Sequence, residues 1–193
     1  MRNAIPLPNI PIAQLQEAIE RLPATLLSAH RMHGALEHCG LGYRPTCVKE
    51  SAEIRARSLA PFLPPHTVIC GVTAAWVWGA IGKFRTPVEV NNFGGSCRIP
   101  AGVHNRTVIR HARITADEVV SLGGVRVTTT RRTVFDLLYF YEAANTAPLQ
   151  LMLLGLMRLS QLTPDDILES LLTRQHPRKQ HALRLAQQVF KQS

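Results

Sequence analysis

The sequence predicts an α+β protein: a small helical N-terminal part, a central mixed sheet with packed helices, and a helical C-terminal tail. Three observations carry that expectation. Short β-branched runs recur at 67–70, 88–91 and 125–129, in the middle of the chain. Apolar residues at helical spacing occupy both ends. Glycine and proline breaks separate the two kinds of segment. With 193 residues the chain can build one good core, or a small domain beside a larger one. The organisation read from these breaks is 1–45, 46–146 and 147–193.

Residues 1–11 carry three prolines and read as an extended arm. Apolar residues at 12, 15, 19 and 22 then mark a helical face, which Pro23 stops. A second helix is expected from Thr25 to about Cys39, ended by Gly40 and Gly42. Two short helices at a tight Pro-Ala junction fit either a helix-turn-helix or an ordinary helical hairpin. In the first case His30, Arg31 and His33 would face a groove. Residues 51–62 read as a helix stopped by Pro64-Pro65.

The run 67–70 suits a strand, and Gly71 turns the chain into a helix over 72–78. There Ala74 and Ala75 permit close backbone approach, and Trp76 supplies a large buried surface. Strands are expected at 88–91 and 107–113, with Arg110 and Arg113 on opposite faces because side chains alternate. A short helix is expected over 115–122, Thr115 capping it and Asp117 and Glu118 in its first turn. Gly123-Gly124 leads into the strand 125–129, and Thr130 is expected to cap a helix over 131–141. Three amphipathic helices follow at 147–158, 164–174 and 178–191.

The formal charge of +9 is the unusual bulk property. Residues 83–132 hold nine Lys/Arg against three acids, residues 174–193 hold five against none, and 133–173 is net acidic. Such a field steers nucleic acid or an acidic protein to one side of a molecule. Cys39, Cys47, Cys70 and Cys97 form no close pair, which argues against a disulfide framework or a local zinc site and for a reducing cytoplasm. No apolar run has the roughly 20 residues a bilayer span needs. The proline-broken N-terminus does not read as a signal peptide.

Local catalytic motifs are absent. A metal-dependent nuclease needs carboxylates converging on a cation. The central acids Glu89, Asp117, Glu118 and Asp136 lack that spacing, and no following lysine completes the motif at Glu89. No Gly-x-Ser-x-Gly elbow occurs, and Gly94-Gly95-Ser96 lacks the Lys-Ser/Thr of a phosphate loop. The expectation is therefore a protein that is not an enzyme and takes no cofactor or metal. The positive signal is arginine: Arg98, Arg106, Arg110, Arg113, Arg126 and Arg131, with Arg31, Arg178 and Lys179 outside the centre, are the candidate nucleic-acid contacts. Guanidinium forks match phosphate oxygens in geometry and charge. Arg132 has a local alternative, a pair with Asp136 one helical turn on.

The order Gly71-Val72-Thr73-Ala74-Ala75-Trp76-Val77-Trp78-Gly79, then an arginine-bearing strand, then Val125–Thr128 and Arg132-Thr133 with Asp136-Leu137 resembles the AbiEi-type antitoxin and regulator family of type IV toxin–antitoxin pairs. The resemblance covers about residues 43–190. It implies a noncatalytic protein that represses its own promoter through an N-terminal winged helix, here degenerate over 12–45. A separate C-terminal domain would counteract a nucleotidyltransferase-like toxin. Gly71, Thr73, Ala74, Gly79, Arg132, Thr133 and Asp136 match the family motif and read as fold-forming. Thr130 stands where relatives often carry proline. Relatives of this subtype often continue into a very-short-patch-repair-like endonuclease domain, which has no counterpart in this sequence.

The leading expectation is thus a DNA-binding regulator acting at its own promoter region. The alternatives are a module whose basic face neutralises an acidic protein partner such as a toxin, and last a noncanonical metal-dependent nuclease.

Overall fold

A computed structural model describes residues 12–95, 106–142 and 145–191. The fold is α+β, with helices packed around a mixed five-stranded sheet and a separate two-stranded hairpin. The expected arm at 1–11 lies outside the described residues.

The chain begins with α1 (Ile12–Glu20) and α2 (Ala24–Met32), joined at Pro23. The expected helix to Cys39 ends seven residues early. Gly34 adopts φ +72°, and the amides of Gly34 and Ala35 donate to the carbonyls of Arg31 and His30. That is a Schellman stop, built where a left-handed residue without Cβ is available. Residues Leu36–Cys39 then form β1, paired antiparallel with β2 (Gly42–Pro45). Helix α1 packs on β2, and α2 packs on β1. The Gln16 amide donates to the Tyr43 carbonyl at 2.9 Å, and Glu20 pairs with Arg57 at 3.5 Å, seating this unit on the central body.

Helix α3 (Ala52–Arg57) is capped by Ser51, whose hydroxyl accepts from the Ile54 amide. The expected helix over 51–62 breaks here: α3 ends at Arg57 and a separate 3-10 turn, Ala60–Phe62, carries Pro61 in its first positions, where no amide is needed. Strand β3 (Thr67–Ile69) follows, then α4 (Gly71–Val77), β4 (Val88–Asn92) and β5 (Thr107–Arg110).

The expected helix over 115–122 is instead a 3-10 turn, Ala116–Glu118, running into β6 (Val119–Leu122). Gly123-Gly124 turns β6 back onto β7 (Val125–Thr128), so Val119 and Val120 join a hairpin, where β-branched side chains fit better than in a helix. Helix α5 (Thr130–Phe140) is capped by Thr129, one residue earlier than expected; its hydroxyl accepts from the Arg132 amide. Helices α6 (Ala147–Ser160), α7 (Pro164–Thr173) and α8 (Lys179–Phe190) complete the fold.

The sheet order is β5-β4-β3-β7-β6. Strand β3 runs antiparallel to β4 and parallel to β7; β4 and β5 are parallel. Helix α4 buries six of its seven residues because it serves two cores. Ala75 belongs with Phe135, Leu138 and the inner faces of α6, α7 and α8. Ala74, Trp76 and Val77 belong with α3, β3 and β7. The alanines allow this double approach, and Trp76, 2% exposed, fills the second core with Phe84 edge-on at 4.8 Å. No helix among the described residues is long and apolar enough to cross a membrane.

Candidate functional site

The motif residues converge where α4, β4, β5 and α5 meet. Gly71 opens α4 at φ +57°, and a Cβ there would lie 1.9 Å from Glu89 Oε2. The glycine is required twice, for its left-handed backbone and for the space its missing side chain gives Glu89. Thr73 Oγ1 accepts from the Glu89 amide at 2.8 Å, tying α4 to β4. Arg110 on β5 then pairs with the Glu89 carboxylate at 3.1 Å.

Beside this pair lies a second, deeper network. Arg132 Nε donates to Asp136 Oδ1 at 2.8 Å, and Nη1 donates both to the Arg113 carbonyl at 2.9 Å and to Glu118. Arg174, at the end of α7, reaches Glu118 at 3.3 Å. Asp136 is 2% exposed. Burial pushes its carboxyl up to about 6, against the opposing pull of Arg132. Burial alone would lower the Arg132 guanidinium, but Asp136 and then Glu118 outweigh it and its pKa is raised. Thr133 closes the motif, its hydroxyl within 2.9 Å of the Thr128 hydroxyl.

Glu89, Arg110 and Asp136 line a pocket of about 180 Å³, walled by Val72 and Phe140. Asp136 Oδ2 and Arg110 Nε are buried there without a hydrogen-bond partner. Cys70 lies behind it, fully buried, its thiol pushed up by burial and by Asp136 and Glu89, which opposes formation of a thiolate. Among the described residues, no three His, Cys, Asp or Glu side chains group as metal ligands, and each of the three pocket carboxylates, Glu89, Asp136 and Glu142, already has an arginine partner. What the network can do is hold β4, β5, α5 and α7 in one arrangement and present fixed polar groups.

On the far side of Arg110 a wider cleft of about 580 Å³ runs between β5 with its extension to residue 113 and the α7–α8 turn. Phe140 forms part of its wall. The Arg110 guanidinium sits 4.5 Å from that ring and Arg178 5.8 Å from it, with Arg178 also pairing with Glu142. His176 stacks on Tyr139 at 3.8 Å and meets Phe140 edge-on. Burial, then Arg132 and Arg178, lowers the His176 pKa.

Of the arginines predicted from sequence, Arg110, Arg113 and Arg178 come together at this cleft. Arg106 is exposed just before β5. Arg126 is exposed on β7 with its guanidinium 5.7 Å from the Phe93 ring. Arg131, in the first turn of α5, lines a depression with Asp166 and Glu169. Arg31 is exposed in the last turn of α2, and the Lys179 ammonium donates to the Leu172 carbonyl. Arg98 lies outside the described residues. Gly79 follows α4 at the surface, while Thr73, Ala74, Arg132, Thr133 and Asp136 are all buried. The i, i+4 spacing foretold the Arg132–Asp136 pair, and it is formed.

The sequence reading missed Arg174, His176 and Phe140. Their partners lie tens of residues away, as in the 56-residue separation of Glu118 and Arg174, and no local pattern marks such a contact. No protein-family profile matches this chain, and no curated protein is significantly similar to it.

Proposed function

We propose that this chain is a noncatalytic, AbiEi-like regulator that binds DNA near its own promoter through the α1–α2–hairpin unit. The observation that carries the reading is α2, a nine-residue helix with no buried residue, held between a tight turn and a two-stranded hairpin. This order of two helices and a wing resembles the reading half of a winged helix. A helix of about 13 Å with one face unclaimed by the core is free to enter a major groove about 12 Å wide. Its last turn carries His30 and Arg31, and Met32 beside them is 80% exposed, suited to contact with a thymine methyl.

The central arginines play a lesser part in this reading than their number implies. Arg110, Arg132, Arg174 and Arg178 are each engaged by a carboxylate, so their charge is already answered within the protein. Arg106, Arg113, Arg126 and Arg131 are exposed and form no ion pair among the described residues, and they supply the phosphate contacts.

The test is titration of a fluorescent duplex from the chain's upstream region against a scrambled duplex, at two salt concentrations. Preference for the upstream duplex, lost in Arg31→Ala, is the expected result. Truncating Arg113 should instead weaken both duplexes alike and reduce the salt slope by about 0.9. Equal binding of both duplexes by the wild type, unaffected by Arg31→Ala, refutes promoter reading by α2.

A further inference from the structure

We propose that the cleft along β5 takes an acidic peptide in extended conformation, added as a sixth strand to the edge of the central sheet. This site is separate from α2 and does not depend on the DNA-binding reading.

Among the described residues, β5 lies at the edge of the sheet and pairs only with β4. Its hydrogen-bonding register with β4 stops at Arg110, yet the chain beyond stays anchored. The Asn91 side chain accepts from the Ala112 amide at 2.9 Å and donates to the Ala112 carbonyl at 2.7 Å. With both main-chain groups of Ala112 turned toward β4, alternation directs those of His111 away from it. They form no hydrogen bond among the described residues. By the same alternation the main-chain groups of Ile109 also face outward, so the open edge is short, about 10 Å over 109–111 at roughly 3.3 Å per residue, and the Arg113 carbonyl beyond it is already taken by Arg132.

The lining selects the partner's side chains. No carboxylate lines the cleft, whereas Arg113, which forms no ion pair among the described residues, does, together with Arg178, which Glu142 already engages, and the imidazoles of His111 and His176. Val108, 39% exposed, and Pro177 supply apolar surface between these polar groups. A strand that alternates an acid with an aliphatic residue matches both features, because neighbouring side chains point to opposite faces. Single-stranded nucleic acid fits less well. It needs open aromatic faces for its bases, and Arg110 and Arg178 already lie over the Phe140 ring. A phosphodiester backbone also offers no N–H groups to an edge strand.

The experiment is fluorescence anisotropy of a labelled glutamate-valine octapeptide, (Glu-Val)₄, with the full chain. The comparison probes are (Lys-Val)₄, (dT)₈, and a (Glu-Val)₄ peptide N-methylated at alternate residues. The glutamate-valine peptide should bind and (Lys-Val)₄ should not. N-methylation should weaken binding at least about tenfold, since it removes strand donors. His111→Glu/Arg113→Glu, two exposed positions, should weaken it by a similar factor, while Arg31→Glu leaves it unchanged. Unchanged far-UV circular dichroism and urea midpoint show that the double variant is folded; if it is not, Val108→Lys, which repels neither acid, is read with the N-methylated peptide. No binding of (Glu-Val)₄ at millimolar concentration overturns the proposal. So does binding that tolerates N-methylation, which would mean charge attraction alone, and so does tighter binding of (dT)₈ at the same residues, which would make the cleft a nucleic-acid groove.

Discussion

Replacing Arg132 with leucine should remove a large part of this protein's stability, and the loss should depend on pH. The wild-type guanidinium donates to Asp136, Glu118 and the Arg113 carbonyl, and the Arg132 and Asp136 side chains are 8% and 3% exposed. Glu118 keeps Arg174 when Arg132 is gone, but Asp136 keeps nothing, because its other oxygen has no partner. Breaking a buried ion pair from one side costs about 3–5 kcal/mol.

Asp136 can escape by taking up a proton, which caps its own share of that cost. Protonating a carboxyl with an ordinary value of about 3.9 costs about 1.4 kcal/mol for each pH unit above it, so about 4 kcal/mol at pH 7 and about 1.5 at pH 5. In the wild type the Asp136 carboxyl already sits at about 6 in the folded state, above its unfolded value. A raised folded value means the native state binds the proton more tightly, so the contribution of Asp136 becomes more favourable as pH falls through 6 toward 4.

The gap between wild type and Arg132→Leu should therefore narrow from pH 7 to pH 5. Urea unfolding followed by the fluorescence of Trp76 and Trp78 measures it. Arg132→Leu/Asp136→Leu should recover most of the loss, because no charge is then left buried alone. A loss below about 1 kcal/mol at pH 7, or an equal loss at both pH values, would refute this account of the pair.

Two glycines should respond differently to alanine. Gly71→Ala adds left-handed strain of about 1–2 kcal/mol and drives a Cβ into Glu89, so the combined loss should exceed about 2 kcal/mol. Gly34→Ala, where nothing lies within 4 Å, should lose only the strain, and equal losses at both sites would contradict the crowding at Glu89. Among the described cysteines, Cys47 is exposed, Cys39 is pushed up to about 11 mainly by burial, and Cys70 is also raised, by full burial. Iodoacetamide at pH 8 with peptide mapping should label Cys47 first and the other two only on unfolding; early labelling of Cys70 would show that the pocket beside it opens.

The elements that the sequence disclosed are those whose cause is local. The Pro23 stop, the β-branched runs of β3, β4 and β7 and the Arg132–Asp136 spacing each follow from residues within a turn or two of one another. Trp76 directly after Ala74 and Ala75 announced a buried helix, and α4 is one. Where two local readings competed, the fold chose. Leu36–Cys39 has no strong helical or strand preference, and its fate was decided by the Gly34 stop and by pairing with Gly42–Pro45. Val119–Leu122 became a strand because β7 offered an edge.

The sequence by itself determined the class of fold, the core helix α4, the excess of arginine and the motif residues. Only the tertiary structure decided which arginines are free. A count of charges treats Arg110, Arg113, Arg131 and Arg132 alike, but burial separates them. A guanidinium taken from water must find carboxylates, as Arg132 does in Asp136 and Glu118, while one left at the surface keeps its charge available to a partner, as Arg113 does.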